Sequence, residues 1–139
     1  MSATRGVNSD TRDPLDRYYT PPAWADHIVA RWGIALHRLQ LVVEPSVGRG
    51  DWSMALRRAG YTGRIIGVDI DPEAVGEGCD EVIHADWMEV APKLLTLPVD
   101  LVLGNPPYRH IDQHVATMLA CSAAVSLCVR TGWLQSARV

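Results

Sequence analysis

Val99-Asp100-Leu101-Val102-Leu103-Gly104 is an apolar run that stops at Asn105-Pro106-Pro107-Tyr108. Two consecutive prolines fix φ near −65° and remove two backbone N–H groups, so a buried strand ends there in a stiff turn. The carbonyls of that turn are left as acceptors, Asn105 adds a side-chain acceptor, and Tyr108 adds a flat ring. A site of this kind can hold a planar amine by its two hydrogens and stack on its face. Alone, the tetrapeptide also fits an ordinary turn, and the rest of the chain has to decide.

Upstream, strand patterns alternate with helix patterns. The spacing of Trp24, Ile28, Val29, Trp32, Ala35 and Leu36 predicts a helix from Ala23 to His37, with Pro22 in its first turn and Thr20 as its cap. Leu39–Glu44 reads as a strand, Ser46–Gly50 as a turn, and Asp51–Ala59 as a helix ended by Gly60. Arg64–Asp69 is a second strand, followed by a short helix after Asp71-Pro72. Glu81–His84, Val99–Leu103 and Ala123–Val129 are further strands, with a helix from Ile111 to Ala120 before the last. Strands separated by helices predict an α/β fold, a mostly parallel sheet with helices on both faces. Residues 1–16, rich in Ser, Thr, Asp, Arg and Gly, read as a mobile tail, leaving 17–139 as one domain.

Composition narrows the function classes. The 139 residues carry a formal charge of −3, so no global basic field draws the chain to nucleic acid, and a polynucleotide would have to meet a local patch. Cys79, Cys121 and Cys128 lack CxxC spacing and read as reduced, mostly buried thiols of a cytoplasmic protein. His110 and His114 lie four apart, but no third ligand stands at a helpful spacing, and a solvated helix face explains them better than a metal. No signal peptide and no membrane-length apolar run is visible. Trp24, Trp32 and Trp52 are expected to pack the core or line a cleft, and Arg109 fits either a phosphate contact or a solvated surface.

Glu44-Pro45-Ser46-Val47-Gly48-Arg49-Gly50-Asp51 joins the first strand to a helix, the place where open α/β sheets bind ligands. Its two glycines permit a tight turn, but the spacing is not the GxGxxG of dinucleotide sites. Glu44 would repel a pyrophosphate and attract an ammonium group, directly or through water. Asp69 ends the second strand, where an acid commonly grips ribose hydroxyls, and Asp86 follows the third, where it can accept from an adenine amine. Each acid alone is as readily a turn residue or a helix cap. Four such elements at successive strand ends are harder to dismiss.

Together they resemble the S-adenosylmethionine-dependent amino-methyltransferases, and most of all the N6-adenine DNA methyltransferases of permuted motif order. The likeness covers roughly Tyr18 to Val129. Tyr19-Thr20-Pro21-Pro22 matches the segment that precedes the glycine turn in that family, Glu44–Gly50 the turn itself, Asp69 and Asp86 the acidic positions, and Asn105–Tyr108 the catalytic loop. The resemblance implies a Rossmann-like methyltransferase fold and S-adenosyl-L-methionine as cofactor. Its contacts would come from Tyr19, Thr20, Pro21, Glu44, Ser46, Gly48, Gly50, Asp69, Ile70, Asp86, Trp87 and Asn105. Catalysis would fall to Asn105, Pro106, Pro107 and Tyr108, acting on an adenine flipped out of a DNA duplex. RNA, a protein glutamine amide, or a cofactor-binding relic working through a partner are the alternatives.

Such domains usually continue into a further helix and a two-strand hairpin, whereas this chain stops at Val139 with no basic recognition segment. That counts against sequence-specific DNA binding by the chain alone. It also leaves Ser122–Val129 as an apolar edge strand, for which a homodimer or partner chain is expected, aided by Trp133 and Leu134. A fold-back of Thr131–Val139 over that edge is the alternative.

Overall fold

The computed structural model describes residues 20–31, 36–94, 96–105, 111–121 and 125–127, the last as backbone. The elements are α1 (Pro22–Arg31), a 3-10 turn (Leu36–Arg38), β1 (Leu41–Glu44), α2 (Asp51–Arg58), β2 (Arg64–Asp69), β3 (Glu81–His84), α3 (Trp87–Leu94), β4 (Leu101–Gly104), α4 (Ile111–Cys121) and β5 (Val125–Leu127). The five strands form one sheet in the order β3-β2-β1-β4-β5, and every pair is parallel.

The period of two along each strand sends alternate side chains to opposite faces. Leu41, Val43, Ile66, Val68 and Val102 pack with Trp87, Val90, Ala91 and Leu94 of α3 and Met118 and Cys121 of α4. Val42, Ile65, Leu101 and Leu103 point the other way, onto Ala25 and Val29 of α1 and Trp52, Ala55 and Leu56 of α2. Because both faces are covered, the central strands are apolar throughout, and all four residues of β1 and of β4 are buried. Glu44 is the one charged side chain among them.

Two carboxylates fix the amino-end register. Asp100 Oδ2 accepts the N–H groups of Gln40 (2.7 Å) and Leu41 (3.0 Å), so the β1 ladder starts at Leu41 rather than at Leu39. Asp80 Oδ2 accepts the Ile65 N–H (2.8 Å) and the Arg57 guanidinium (2.9 Å). Arg57 also donates to the carbonyls of Gly78, Tyr61 and Gly63, tying the end of α2 to the edges of β2.

Several sequence expectations need correction. Residues 70–80 connect β2 to β3 without a helix, and the expected one after Asp71-Pro72 is a chain of turns. Gly76 (φ 58°) and Gly78 (φ 92°) hold left-handed conformations that no helix accepts. Conversely, α3 was not anticipated. It is eight residues long and contains Pro92, yet Asp86 caps it through Met88 N–H (2.9 Å), and Trp87, Val90, Ala91 and Leu94 form its buried face. Trp24 is 64% exposed, because the inward stripe of α1 runs through Ala25 and Val29. Pro21 supplies the first helical carbonyl of α1, to Trp24 and Ala25, so Thr20 lies one residue before the cap. His37 is in the 3-10 turn, not in α1. The 1–16 tail, Tyr19, Trp32, Ala35, Cys128, the expected edge cover by Trp133 and Leu134, and the fate of the hairpin region all lie outside the described residues. No helix among the described residues is long and apolar enough to cross a membrane.

Gly50 and Gly60 offer a matched test of packing against strain. Both have φ near +98° to +99°, but an added Cβ at Gly50 would run into the Glu77 backbone, whereas at Gly60 it meets open space. Gly60→Ala should cost about 1 kcal/mol from strain alone, and Gly50→Ala clearly more, about 3 kcal/mol, in urea unfolding. Equal losses would contradict the close approach of the 70–80 segment to the turn.

Candidate functional site

Strand order reverses at β1: the chain runs outward through β2 and β3, then crosses back to β4 and β5 on the other side. The crevice at the carboxyl ends of β1 and β4 is therefore the topological switch point, where open α/β sheets take ligands. The two sequence elements with chemical content meet there. Glu44 ends β1, Gly104 ends β4, and half-buried Asn105 follows. A Cβ built on Gly104 would lie 3.4 Å from Glu44 Cγ and 3.7 Å from Pro45 Cδ, so the two strand ends are in side-by-side contact. Pro106, Pro107, Tyr108, Arg109 and His110 lie outside the described residues.

Glu44 is 1% exposed. It lies beneath the turn, and its Oε1 accepts both the Ser53 N–H (3.1 Å) and the Ser53 hydroxyl (2.5 Å). Ser53 is the third residue of α2, and the helix cap, Gly50, has no side chain to offer its orphan N–H groups. Glu44 thus acts as a remote cap from the neighbouring strand. A helix start favours an anion there, but burial favours the neutral acid, and Asp51 and Asp69 add repulsion. Burial prevails, and the Glu44 carboxyl is pushed up from 4.5 to about 8. Cys79 Sγ lies 3.1 Å from Ser53 Oγ. Since Ser53 gives its only hydroxyl proton to Glu44, the Cys79 thiol donates to Ser53, and burial keeps that thiol protonated, at about 11.

The glycine turn is held from three sides, and its polar groups face inward. Val47 N–H donates to the Val68 carbonyl and Gly50 N–H to the Val47 carbonyl. Gly48 N–H donates to Asp69 Oδ2 at 2.7 Å. The carbonyls of Gly48 and Arg49 accept the N–H groups of Gly76 and Glu77. A phosphate cradle needs outward-pointing N–H groups, and here those of Val47, Gly48 and Gly50 are committed. With Glu44 and Asp69 beside it, the turn suits a cationic or zwitterionic group and disfavours a diphosphate.

The remaining predicted residues are distributed unevenly. Asp69 is half-buried, and its Oδ1 accepts Asp71 N–H (2.9 Å) while Oδ2 holds Gly48. Each oxygen keeps a further lone pair, so a diol would share this carboxylate rather than have it alone. Ile70, 56% exposed at the end of β2, offers an apolar surface beside it. Asp86 Oδ1 is taken up in capping α3. Trp87 is 3% exposed in the core beside α3 and α4, its Nε1–H donating to Thr117 Oγ1 at 2.6 Å. Ser46 is half-buried, Pro21 exposed, and Thr20 buried, with its carbonyl 3.5 Å from Arg49 Nη2. Tyr19 lies outside the described residues. No three His, Cys, Asp or Glu side chains among the described residues are grouped to hold a metal. The sequence does not single out Ser53, and it marks Cys79 only as a reduced thiol, not as the partner of Ser53. The signal for Ser53 was a small polar residue at the third helical position behind a glycine cap; for Cys79 there was none.

No family model matches the chain. It is 37% identical over 106 residues to the Type II methyltransferase M.TthHB8I of Thermus thermophilus, an alignment covering 71% of this chain and 22% of that protein. It is 36% identical over 73 residues to the Type II methyltransferase M.CvrRI of Paramecium bursaria Chlorella virus XZ-6E, covering 48% and 18%. The likeness is thus to Type II methyltransferases. The chain spans about a fifth of the length of these relatives.

The raised Glu44 carboxyl makes a signed prediction for stability. The folded state binds this proton more tightly than the unfolded chain, so its contribution is fully present below about pH 4.5 and is lost as pH rises through about 8. Across that window the wild-type chain should lose up to ~1.4 kcal/mol of stability per pH unit relative to Glu44→Gln, which keeps an acceptor for Ser53 and has no proton to lose. Parallel pH–stability curves for the two proteins would show that Glu44 is an ordinary anion.

Proposed function

We propose that residues 17–139 form an S-adenosylmethionine-dependent amino-methyltransferase centre whose acceptor is N6 of adenine in DNA. The observation that supports this reading is the parallel pairing of β1 with β4 at the switch point, which sets Glu44 and the glycine turn beside Gly104 and Asn105. The Type II methyltransferase relatives support the reaction class, and Tyr19-Thr20-Pro21-Pro22 ahead of the glycine turn supports adenine over a protein amide.

The residues of the crevice fit the cofactor. The inward-facing N–H groups disfavour diphosphate, Glu44 and Asp69 favour an ammonium group, the spare lone pairs of Asp69 suit ribose hydroxyls, and Ile70 offers a flat base an apolar surface. When bound, the cofactor supplies a methyl group made electrophilic by its sulfonium. The protein's part is to prepare the acceptor. An adenine amine is a poor nucleophile because its lone pair is delocalised into the ring. Asn105 Oδ1 and the Pro106 carbonyl would accept its two hydrogens, making the nitrogen more tetrahedral and aiming its lone pair along the line of transfer. Tyr108 would stack on the flipped base and stabilise the cationic product of attack, a contact worth about 1–3 kcal/mol. The base must leave the duplex to reach this site. Asp86 is assigned to the cofactor's adenine through the oxygen that does not cap α3.

Transfer of a labelled methyl group from S-adenosylmethionine should be seen to DNA, and not to RNA or protein acceptors tested beside it. Asn105→Ala should lower transfer by at least 1,000-fold, the scale of losing a preorganised polar contact in the transition state, and leave cofactor affinity within a factor of about two. A variant with wild-type turnover would show the loop to be a structural turn only.

A further inference from the structure

The proposed function does not use the chain from half-buried Cys79 through Ser53 to buried Glu44, and its geometry has a directional character. Glu44, on β1, receives only neutral donors, the N–H and O–H of Ser53, both on the same oxygen. Among the described residues, the charged groups around it are acidic or committed. Asp51, on α2, and Asp69, on β2, are the carboxylates that repel it. Arg49 is turned to Asp51, with Nε 2.7 Å from Oδ1, and Arg57 is turned to Asp80 and the carbonyls of Tyr61, Gly63 and Gly78. From the β4 side the neighbour is Gly104, which brings no charge, and from the 70–80 segment it is Cys79, a protonated thiol. A carboxyl closed in by neutral donors and like charges keeps its proton until a cation arrives.

Resting on the reading that the cofactor's amino-acid end comes to the glycine turn, we propose that Ser53 is a positioning residue that makes cofactor binding proton-coupled: Glu44 is a neutral acid in the empty site and releases its proton to solvent when the ligand's ammonium group takes its place beside the turn. One O–H bond breaks at the Glu44 carboxyl, the proton goes to the buffer, and the new pair is carboxylate with ammonium. Ser53 favours the charged form by donating two hydrogen bonds to Oε1, and Cys79 holds the Ser53 hydroxyl in that orientation. The ligand's positive charge is thereby matched by a negative charge that exists only while the ligand is bound. The empty core is spared a third carboxylate next to Asp51 and Asp69.

Titration calorimetry with S-adenosylhomocysteine at pH 7, run in phosphate and in Tris, reads the proton directly, because the two buffers differ in ionisation enthalpy. The wild-type protein should release between half a proton and one proton per ligand, and its Kd should rise up to about tenfold per pH unit as pH falls below about 8. Glu44→Gln should release none and show a flat pH profile. Ser53→Ala, if folded by circular dichroism, should move the affinity profile to higher pH, and Ser53→Thr, which keeps N–H and hydroxyl, should restore it. Binding with equal heats in both buffers, or the same proton release in wild type and Glu44→Gln, overturns the proton coupling and leaves the cofactor reading standing. Absence of binding in every buffer at millimolar ligand overturns the cofactor reading, and the coupling with it.

Discussion

The buried hydrogen bonds between the Glu44 carboxyl and Ser53 hold the rest of this structure in its working arrangement. A glycine is required at position 50, because the turn adopts φ 98° and the Glu77 backbone occupies the space of any side chain. That glycine leaves the first turn of α2 without a cap of its own. A carboxyl group from the end of β1 supplies the missing acceptor and joins strand, turn and helix in one contact. Burying a carboxyl costs several kcal/mol as an anion, and here the proton it retains removes most of that cost. The polar interior therefore depends on pH where an apolar one would not.

Topology determines what this contact is next to. An all-parallel sheet with helices on both faces places every strand's carboxyl end on one rim, and the reversal at β1 opens a crevice in that rim. The ends of β1 and β4 lie side by side there, so a ligand at the glycine turn and an acceptor at Asn105 would be neighbours without any further rearrangement. The inward commitment of the turn's N–H groups then selects among ligands by charge. A diphosphate finds the N–H groups of Val47, Gly48 and Gly50 already committed, while a cationic amino acid finds acids on two sides.

The sequence carried the sheet more clearly than what surrounds it. Arg64–Asp69 reads as a strand and is one, residue for residue, because an apolar run between a charged residue and an acid has a single good conformation in a covered sheet. Pattern recognition failed where tertiary contacts override it. The 70–80 segment has a helix-like start at Asp71-Pro72, but Gly76 and Gly78 take left-handed φ to reach the glycine turn. Helix α3 was obscured by Pro92, although the Asp86-x-x-Glu89 spacing ahead of Val90, Ala91 and Leu94 was a readable start signal. Trp24 reads from its hydrophobicity as a core or cleft residue, while smaller Ala25 and Val29 make the packed stripe. In the site, the positions of Glu44, Asp69 and Asp86 could be located by strand ends, but not their partners. That Asp69 braces Gly48 and Asp86 caps a helix follows from hydrogen bonds between residues on separate elements or in an unforeseen helix.

The location of a bound cofactor analogue tests the central claim most directly. A crystal structure with S-adenosylhomocysteine should show its amino-acid end at Gly48 and Gly50, its ribose at Asp69 and its base beside Ile70 and Asp86. The thioether sulfur should face Asn105 across the β1–β4 crevice. Electron density for the ligand away from the glycine turn and Asp69, with the crevice closed by side chains, would contradict the account.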